Sequence, residues 1–260
     1  MKFNLTDQEK ISQFAVLFQN LKAFSEHVIL YMSEDGIHMQ GMDSSHCSCF
    51  DIKLRNDWFD SFNFVKDKDI STLGVSTNVL QKIIGTRRDG QTIEMSVSED
   101  GDNLEVIFTG QSNVLDKYFE IPLMDIEQDL LEVSSSESDV DLVMSSKNFC
   151  ELITQLQIFN DKLSLTFTED KVTFLSSGSE GSMKVNVSFD NVVEYAVAEN
   201  VLLEQSYSLR FISMMCSFSK MSGEFSMAFS ENRPMEGQYK LDGDSYVKFY
   251  LAPRVDEDIN

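Results

Sequence analysis

The distribution of apolar and polar residues repeats once along this chain of 260 residues. Residues 30–54 alternate apolar and polar side chains, turn at Asp35, alternate again, pass a Ser-rich loop and end in a third alternating run. Residues 165–189 repeat this order 135 positions later, with the turn at Asp170 and a Ser/Gly-rich loop. Because alternation with a period of two is typical of strands, each stretch predicts a hairpin, a loop and a third strand.

A long helix precedes each of these strand stretches. Residues 6–24 carry apolar side chains at helical spacing, and Thr6 with Glu9 predicts a capping box at its start. The counterpart in the second half is residues 145–159, whose apolar residues recur at the same offset. The first half of each repeat is therefore predicted to be a helix followed by three strands.

A shorter helix follows in each half. The first is predicted at residues 77–84, between a Ser76 cap and Gly85, and residues 208–220 parallel it. Alternating strands follow both, and KYFEIP at 117–122 reappears as KFYLAP at 248–253. The predicted fold class is α+β, with two copies of one domain that each combine antiparallel sheets with two helices.

An acidic stretch separates the copies. Residues 125–141 hold seven acids and no base, which is typical of an exposed connector. The predicted domains are thus 1–124 and 142–260, each long enough to bury its own core. Leu130, Leu131 and Val133 interrupt the acidic stretch, so we expect the connector to lie along a sheet face; a flexible tether is the alternative.

The apolar runs and cysteines indicate the class of protein. The longest apolar run, residues 14–18, is far below the roughly 20 residues of a membrane span. The four cysteines lack the spacing of a disulfide framework, and the first residues lack a secretory signal. We therefore expect a soluble protein of a reducing, intracellular compartment.

The formal net charge of −22 argues against a nucleic-acid partner if the charge is spread evenly. The cations, however, concentrate on or beside the predicted helices. Those expected to face DNA are Lys10, Lys22, Lys82, Arg87, Arg88, Lys147, Arg210 and Lys220. Such residues on a helix surface usually serve solubility, but their concentration in an acidic chain favours a role at DNA.

Candidate chemical motifs are few. His46, Cys47 and Cys49 are of the residue types that bind zinc, yet they lack the usual C-x2-C spacing and no second Cys/His pair follows nearby. The sequence contains no glycine-rich phosphate loop, nucleophile elbow or HExxH motif. We therefore predict ordinary strand side chains at these positions, no metal or cofactor, and no enzymatic activity.

Three motifs carry a family resemblance: GMDSSHCSCFDIKL at 41–54, MDIEQDLLEV at 124–133 and KFYLAPRVDED at 248–258. They resemble the proliferating cell nuclear antigen family of DNA sliding clamps over essentially the whole chain. The resemblance implies a closed homotrimeric ring around duplex DNA, with helices lining the hole and sheets outside. It also implies a processivity factor for DNA polymerase that docks clamp loader, replication and repair proteins.

Helix dimensions agree with a hole of this kind. Three chains with four helices each give twelve helices, and at ~10 Å spacing these form a perimeter of ~120 Å. The axis-to-axis diameter is then ~38 Å, and subtraction of about 5 Å of helix radius on each side leaves ~28 Å. A DNA duplex fits such an opening.

The resemblance also implies two protein-binding surfaces. Strand 117–123 of one subunit is expected to pair with strand 182–188 of the next, through Tyr118, Phe119, Ile121, Met183 and Val185, in a ladder that Pro122 shortens. A partner peptide with a Gln and paired aromatic residues is expected to insert as a single helical turn into an apolar pocket. The predicted pocket residues are Met42, His46, Cys47, Leu131, Val133, Pro234, Tyr250, Ala252 and Pro253.

Other functions stay open at the level of the sequence. One alternative is a subunit of a heterotrimeric clamp, including the checkpoint type. Another is an acidic adaptor that binds proteins without loading on DNA, and an enzyme is the weakest. The expected location of a eukaryotic sliding clamp is the nucleus, and otherwise an intracellular site of DNA replication.

Overall fold

The computed structural model describes residues 1–65, 72–110, 114–126, 130–131 and 137–255. Contacts divide the chain into two compact units. Unit 1 comprises Met1–Ser44, Phe50–Glu132 and Leu241–Val247, and unit 2 comprises Ser45–Cys49, Val133–Lys240 and Lys248–Asn260. Short segments near residues 45 and 245 thus group with the other half of the chain, and the predicted boundaries at 124 and 142 stay a prediction.

The first half of the chain forms nine strands and two α-helices within its described residues. In order they are β1 (Lys2–Leu5), α1 (Gln8–Asn20), β2 (His27–Ser33), β3 (Gly36–Met42), β4 (Ser48–Arg55), β5 (Ser61–Asn63), β6 (Thr72–Ser76), α2 (Thr77–Ile84), β7 (Thr92–Val97), β8 (Asn103–Thr109) and β9 (Lys117–Pro122). The strands hydrogen-bond in the orders β5-β1-β7-β8-β9 and β4-β3-β2-β6. The helices α1 and α2 pack against each other.

The second half forms the same elements in the same order within its described residues. They are β10 (Val140–Ser145), α3 (Ser146–Leu156), β11 (Lys162–Thr168), β12 (Lys171–Gly178), β13 (Gly181–Val187), β14 (Glu194–Val197), β15 (Leu203–Ser208), α4 (Leu209–Cys216), β16 (Glu224–Phe229), β17 (Met235–Lys240) and β18 (Tyr246–Leu251). Their strand orders, β14-β10-β16-β17-β18 and β13-β12-β11-β15, match those of the first half. The predicted α+β fold of two repeated domains is therefore confirmed.

The start of α1 differs from the prediction. Asp7, not Thr6, caps the helix, since its side chain accepts from the backbone N–H groups of Glu9 and Lys10 at 2.8 and 3.1 Å. Thr6 instead donates its hydroxyl to Asp60 Oδ2 at 2.9 Å. The helix ends at Asn20, and a 3₁₀ turn continues to Ala23. The distant Asp60 carboxylate engages the Thr6 hydroxyl, and Asp7 forms the cap instead.

The two repeats differ most clearly at the connection into their third strands. In the first, five residues join β3 to β4, and His46 within them has φ of 57°. In the second, Ser179 and Glu180 alone join β12 to β13, so the predicted Ser/Gly-rich loop is a tight hairpin in which Gly181 adopts φ of 150°. A non-glycine side chain disfavours that backbone geometry.

Each unit encloses its own apolar core. The largest fully buried side chains are aromatic, namely Phe3, Phe14, Phe18, Phe50, Trp58 and Phe108 in unit 1, and Phe149, Phe167, Phe174, Tyr207, Phe218 and Tyr239 in unit 2. Most come from the helices and from the inward positions of the strands, while Trp58 lies in a 3₁₀ turn after β4 and Phe218 in the turn after α4. No helix in the described part of the chain combines the length and apolar character of a membrane span.

Candidate subunit interface, partner pocket and DNA-facing helices

The strands β9 and β13 are sheet edges. Among the described residues, the strand β9 pairs with β8 alone, and β13 pairs with β12 alone. Their repeat counterparts, β18 and β4, are neighbours in the hydrogen-bonded order. In unit 1 the N–H of Arg55 on β4 donates to Ser245 Oγ at 3.0 Å, and in unit 2 the N–H of Ala252 donates to the carbonyl of Cys47 at 2.9 Å. The pair β4 and β18 thus hydrogen-bonds within the chain, whereas the equivalent pair β13 and β9 leaves one backbone edge of each strand unpaired among the described residues.

The edge strand β9 accommodates a proline because of its register. Leu123 N–H donates to the carbonyl of Asp102 at 2.9 Å, and pairs in an antiparallel ladder alternate between hydrogen-bonded and open. Residues 121, 119 and 117 therefore bond to β8, whereas the backbones of Tyr118, Glu120 and Pro122 face away from it. Pro122 consequently removes a donor from the free edge without breaking the ladder inside its own sheet.

The predicted interface side chains of β9 differ in availability. Tyr118 is 72% exposed, and Phe119 is half-buried with its ring centroid 5.6 Å from that of Phe108. Ile121 is only 2% exposed, so its side chain offers little surface to a partner, and its place in the subunit interface stays a prediction. It lies in the core because its strand alternation places it beside Leu104 on the inner face. The backbone groups that face the free edge are those of Tyr118, Glu120 and Pro122.

The strand β13 presents the pattern of a half-covered edge. Met183 and Val185 are half-buried, whereas Ser182, Lys184 and Asn186 are exposed. This alternation gives β13 one apolar face and one polar face, and only one flank is hydrogen-bonded. The arrangement suits the addition of another strand.

The end of the first predicted domain and the connector are each held against unit 1 at one place among the described residues. Met124 N–H donates to the carbonyl of Gly74 at 2.8 Å, next to the edge of β6. Further along, Gln40 on β3 accepts from Leu131 N–H at 2.7 Å and donates to the Leu131 carbonyl at 3.2 Å. At Leu131 the connector therefore lies against β3 of unit 1, and its predicted course along a sheet face stays a prediction for the rest; β10 begins at Val140, one residue before the predicted end of the connector.

A buried polar cluster lies behind that connector contact. The carboxylate of Asp51, on β4, is hydrogen-bonded to His38 Nε2 at 2.8 Å and accepts from Gln40 Nε2 at 3.1 Å and Tyr246 Oη at 3.4 Å. Asp51 and Gln40 are 8% and 5% exposed. The sequence analysis missed both residues, although a charged residue in the apolar alternation of β4 was a signal that it needed polar partners.

The predicted pocket residues lie in both units. Met42 ends β3, and Gln40, two residues before Met42, binds the backbone of Leu131, which is 39% exposed. In unit 2, His46 and Cys47 are exposed and Cys47 bonds to Ala252. The remaining described members of unit 2, Pro234, Tyr250 and Pro253, are exposed or half-buried. Val133 lies outside the described residues, and the pocket as a whole stays a prediction.

The cations of unit 1 lie on α1, α2 and the turns that follow them. Lys22 and Lys82 are exposed, and Lys82 occupies the last turn of α2, where the helix dipole favours a cation. Arg88 is exposed, while Arg87 donates to the Arg88 carbonyl at 3.0 Å. Lys10 is half-buried and near Asp60, whose pKa is lowered, first by the backbone N–H of Thr6 and to a smaller degree by Lys10. Part of the Lys10 charge is thus directed at the protein itself.

The cations of unit 2 are fewer. Lys147, at the start of α3, and Lys220, after α4, are exposed. Arg210 is exposed in the first turn of α4, with its guanidinium carbon 5.3 Å from the centroid of the Phe211 ring. Within the described residues, none of the eight predicted DNA-facing cations forms an ion pair. Four other cations do, namely Lys2, Arg55, Lys248 and Arg254. The charge of the exposed members of the predicted set is therefore available to an external anion; these are Lys22, Lys82, Arg88, Lys147, Arg210 and Lys220.

A pair of thiols joins α3 to α4. Cys150 Sγ contacts the carbonyl of Cys216 at 3.7 Å. A hydrogen bond from the Cys216 thiol, with smaller ones from Ser219 and Tyr239, lowers the pKa of Cys150 to about 7 against the opposing effect of burial. The pKa of Cys216 is raised by the same thiol contact and by burial.

His46, Cys47 and Cys49 form no metal-binding cluster in the structure, since the described residues contain no group of three side chains that could hold a metal ion.

Family comparisons match both halves of the chain. The family described as proliferating cell nuclear antigen, N-terminal domain, matches residues 7–132, and its C-terminal domain matches residues 132–254. Similar curated proteins include proliferating cell nuclear antigen of Chaetomium thermophilum, 27% identical over 87% of this chain and 88% of its own length. Proliferating cell nuclear antigen 2 of Plasmodium falciparum is 27% identical over 93% and 95%, respectively.

A solved structure has the same fold. It is the PCNA2-PCNA3 complex from Sulfolobus tokodaii, with a TM-score of 0.86, 21% sequence identity, and coverage of 98% of this chain and 99% of that one. The two family matches together span residues 7–254, and each falls on one copy of the repeated strand and helix order. This chain therefore belongs to the proliferating cell nuclear antigen family of sliding clamps.

Proposed function

We propose that this protein forms a closed homotrimeric ring that encircles duplex DNA and tethers DNA polymerase to it. The observation that carries the proposal is the unequal pairing of equivalent strands. In one chain β4 and β18 are neighbours, while β13 and β9, which occupy the same places in the other copies of the repeat, are both edges. The pairing that joins β4 to β18 within the chain is available to join β13 to β9 between chains.

Pairing of unlike edges is a heterologous contact. Each subunit offers β9 on one side and β13 on the other, so every added subunit leaves the same two edges open until the assembly closes. Closure removes unpaired edges, which otherwise invite aggregation. Three subunits carry six copies of the repeat and a helix set sufficient for the expected opening of ~28 Å.

The proposed DNA contacts are electrostatic and independent of sequence. The unpaired cations on α1, α2, α3 and α4 face the phosphates, through water as often as directly, without reading bases. The acids of the connector and of the chain end, which lie largely outside the described residues, are expected to face outward, beyond the ~8 Å over which physiological salt screens charge. Topological linkage, rather than affinity, holds the ring on DNA.

The proposed partners dock by a short peptide with a Gln and paired aromatic residues. Leu131 is partly exposed although its backbone is anchored, which makes it suited to be a wall of a pocket. Anchors in such pockets typically contribute about 2 kcal/mol or more each. The partners are DNA polymerase, clamp loader, and replication and repair proteins, and the protein itself is a non-enzymatic platform. In a eukaryotic cell this activity places it in the nucleus.

Native mass by light scattering tests the assembly. The expected mass is three times that of the chain, unchanged on dilution to micromolar concentration. A monomer that forms a trimer only with a second, related chain supports instead a subunit of a heterotrimeric clamp, and the similar Sulfolobus tokodaii structure is itself a PCNA2-PCNA3 complex. A monomer under every condition contradicts both forms of ring and favours an adaptor that binds proteins without loading on DNA.

A further inference from the structure

The side chain of Gln40 makes two contacts with the backbone of a single residue. Its Oε1 accepts from Leu131 N–H at 2.7 Å, and its Nε2 donates to the Leu131 carbonyl at 3.2 Å. The two residues are 91 positions apart, and Gln40 is buried. A side-chain amide that satisfies both backbone groups of one residue fixes that residue much as a neighbouring strand would.

The direction of the Gln40 amide decides whether this contact can form. An amide reversed by half a turn would set its NH₂ against the Leu131 N–H and its oxygen against the Leu131 carbonyl. Asp51 selects the productive direction, because an ionised carboxylate only accepts hydrogen bonds and its Oδ2 lies 3.1 Å from Gln40 Nε2. Both hydrogens of the NH₂ group are then used, one by Asp51 and one by Leu131.

Asp51 is itself held in place. His38 Nε2 lies 2.8 Å from Asp51 Oδ1, and Tyr246 Oη donates to the same oxygen at 3.4 Å. These donors come from β3 and β18, on either side of the strand β4 that carries Asp51. A buried carboxylate without partners is costly, so the cluster as a whole resists reorientation.

We propose that Gln40 positions the connector for partner docking, and that Asp51, held by His38 and Tyr246, orients the Gln40 amide. Leu131 is thereby fixed with its side chain partly exposed before a partner arrives, which lowers the ordering cost of binding. The inference rests on the proposed docking function. Gln40 and Asp51 act through Leu131 and are positioning residues.

The first experiment replaces the donor half of the Gln40 amide. Gln40→Glu keeps the shape but can donate to neither the Leu131 carbonyl nor Asp51. Gln40→Met keeps the length without any polar group and serves if the carboxylate prevents folding. The matched control is Gln205→Glu in unit 2, where Gln205 Nε2 donates to the Ser230 carbonyl at 2.8 Å. Two quantities are measured: hydrogen exchange of the Leu131 amide, and calorimetric affinity for a short synthetic peptide with a Gln and paired aromatic residues.

In Gln40→Met, which leaves the Leu131 N–H without its acceptor, the Leu131 amide should exchange at least tenfold faster, and in either folded Gln40 variant the peptide should bind roughly tenfold more weakly. Gln205→Glu should leave both values within twofold of wild type. Unchanged Leu131 exchange in Gln40→Met overturns the proposal, and so does faster exchange with unchanged affinity. If wild type itself binds no such peptide, the docking function and the positioning role both fail, whereas unaffected variants of a binding wild type refute only the positioning role.

The second experiment tests the role of Asp51. Adding Asp51→Asn to Gln40→Glu places an amide donor opposite the new carboxylate and restores one complementary pair. The double variant should recover at least threefold of the lost peptide affinity, because residues in one hydrogen-bond network couple. Additive losses in the double variant would overturn the orienting role assigned to Asp51.

Discussion

The third strand of the first repeat, β4, and that of the second, β13, occupy the same place in the same strand order but have different surroundings. The first five positions of β4 are buried, and β18 lies beside it. The strand β13 has exposed or half-buried residues throughout and a neighbour on one side only. Each repeat therefore folds whether or not another strand pairs with the outer edge of its third strand. The outer edge of β13 is free to pair with a strand of another subunit.

The surroundings of β4 also carry the connector. Asp51, on β4, orients Gln40, and Gln40 binds Leu131. On β13 the position that corresponds to Asp51 is Asn186, which is exposed and accepts from Thr173 Oγ1 at 3.2 Å. One repeat has thus acquired a buried polar cluster with the connector over it, while the other retains an open edge. We expect partner docking at the first and subunit contact at the second.

The largest expected effect is at the open edges. Phe119→Ala truncates a half-buried ring of β9 and should convert the trimer to monomers at low micromolar concentration, because a central aromatic side chain typically contributes about 2 kcal/mol or more to an interface. Light scattering measures the mass. The control is Phe189→Ala, which truncates a partly exposed ring that stacks on Tyr195 in unit 2. A Phe119→Ala protein that stays trimeric on dilution removes β9 from the interface.

The next effect concerns the connector side of the comparison. Leu131→Ala combined with Val133→Ala should weaken binding of the partner peptide by at least tenfold, since each apolar anchor contributes on the order of 1–2 kcal/mol. Calorimetry measures the affinity, and light scattering should show an intact trimer. An affinity within twofold of wild type would place the pocket elsewhere.

A smaller effect is expected from the helices, where the two repeats should behave alike. Lys82→Glu in the first repeat and Arg210→Glu in the second each reverse an exposed cation. Each should impair loading on DNA and reduce the slope of log affinity against log salt by about 1 per lost phosphate contact, with trimer and peptide binding unchanged. An effect of one variant but not the other would mean that only one repeat faces DNA.

The smallest effect distinguishes the helix pairs. Ala15 and Ile84 occupy the repeat positions of Cys150 and Cys216, so only α3 and α4 carry thiols there. Because the pKa of Cys150 is lowered to about 7, its thiolate forms as pH rises through 7 rather than through the ordinary ~8.5. Alkylation by iodoacetamide, followed by mass spectrometry, should show that midpoint and lose it in Cys150→Ala. A midpoint above 8 would contradict the thiol contact.

Periodicity was sufficient to predict the repeat. The alternation in residues 30–54 and 165–189 and the helical stripes around Phe14 and Phe149 depend on local burial, which acts on each segment in the same way in both copies. The boundaries of the short helix at Thr77 and Ile84 also follow from local chemistry, since Ser76 caps the N-terminal end.

Contacts between distant residues were not predictable in the same way. The choice of Asp7 over Thr6 as a cap depends on Asp60, and the orientation of Gln40 depends on Asp51, Tyr246 and Leu131. The burial of Ile121 depends on its register against β8. In each case the deciding partner is far along the chain, so spacing within a segment contains no information about it.

Retention on plasmid DNA tests most directly whether the protein encircles its substrate. A clamp loader first loads the protein on nicked circular plasmid. The plasmid is then either ligated, which keeps the circle closed, or cut once, which linearises it, and both samples are washed at raised salt. The account predicts that the ring stays on the closed circle and is lost from the linear form, because leaving a circle requires an interface between subunits to open. Equal loss from both forms would contradict encirclement and, with it, the proposed function.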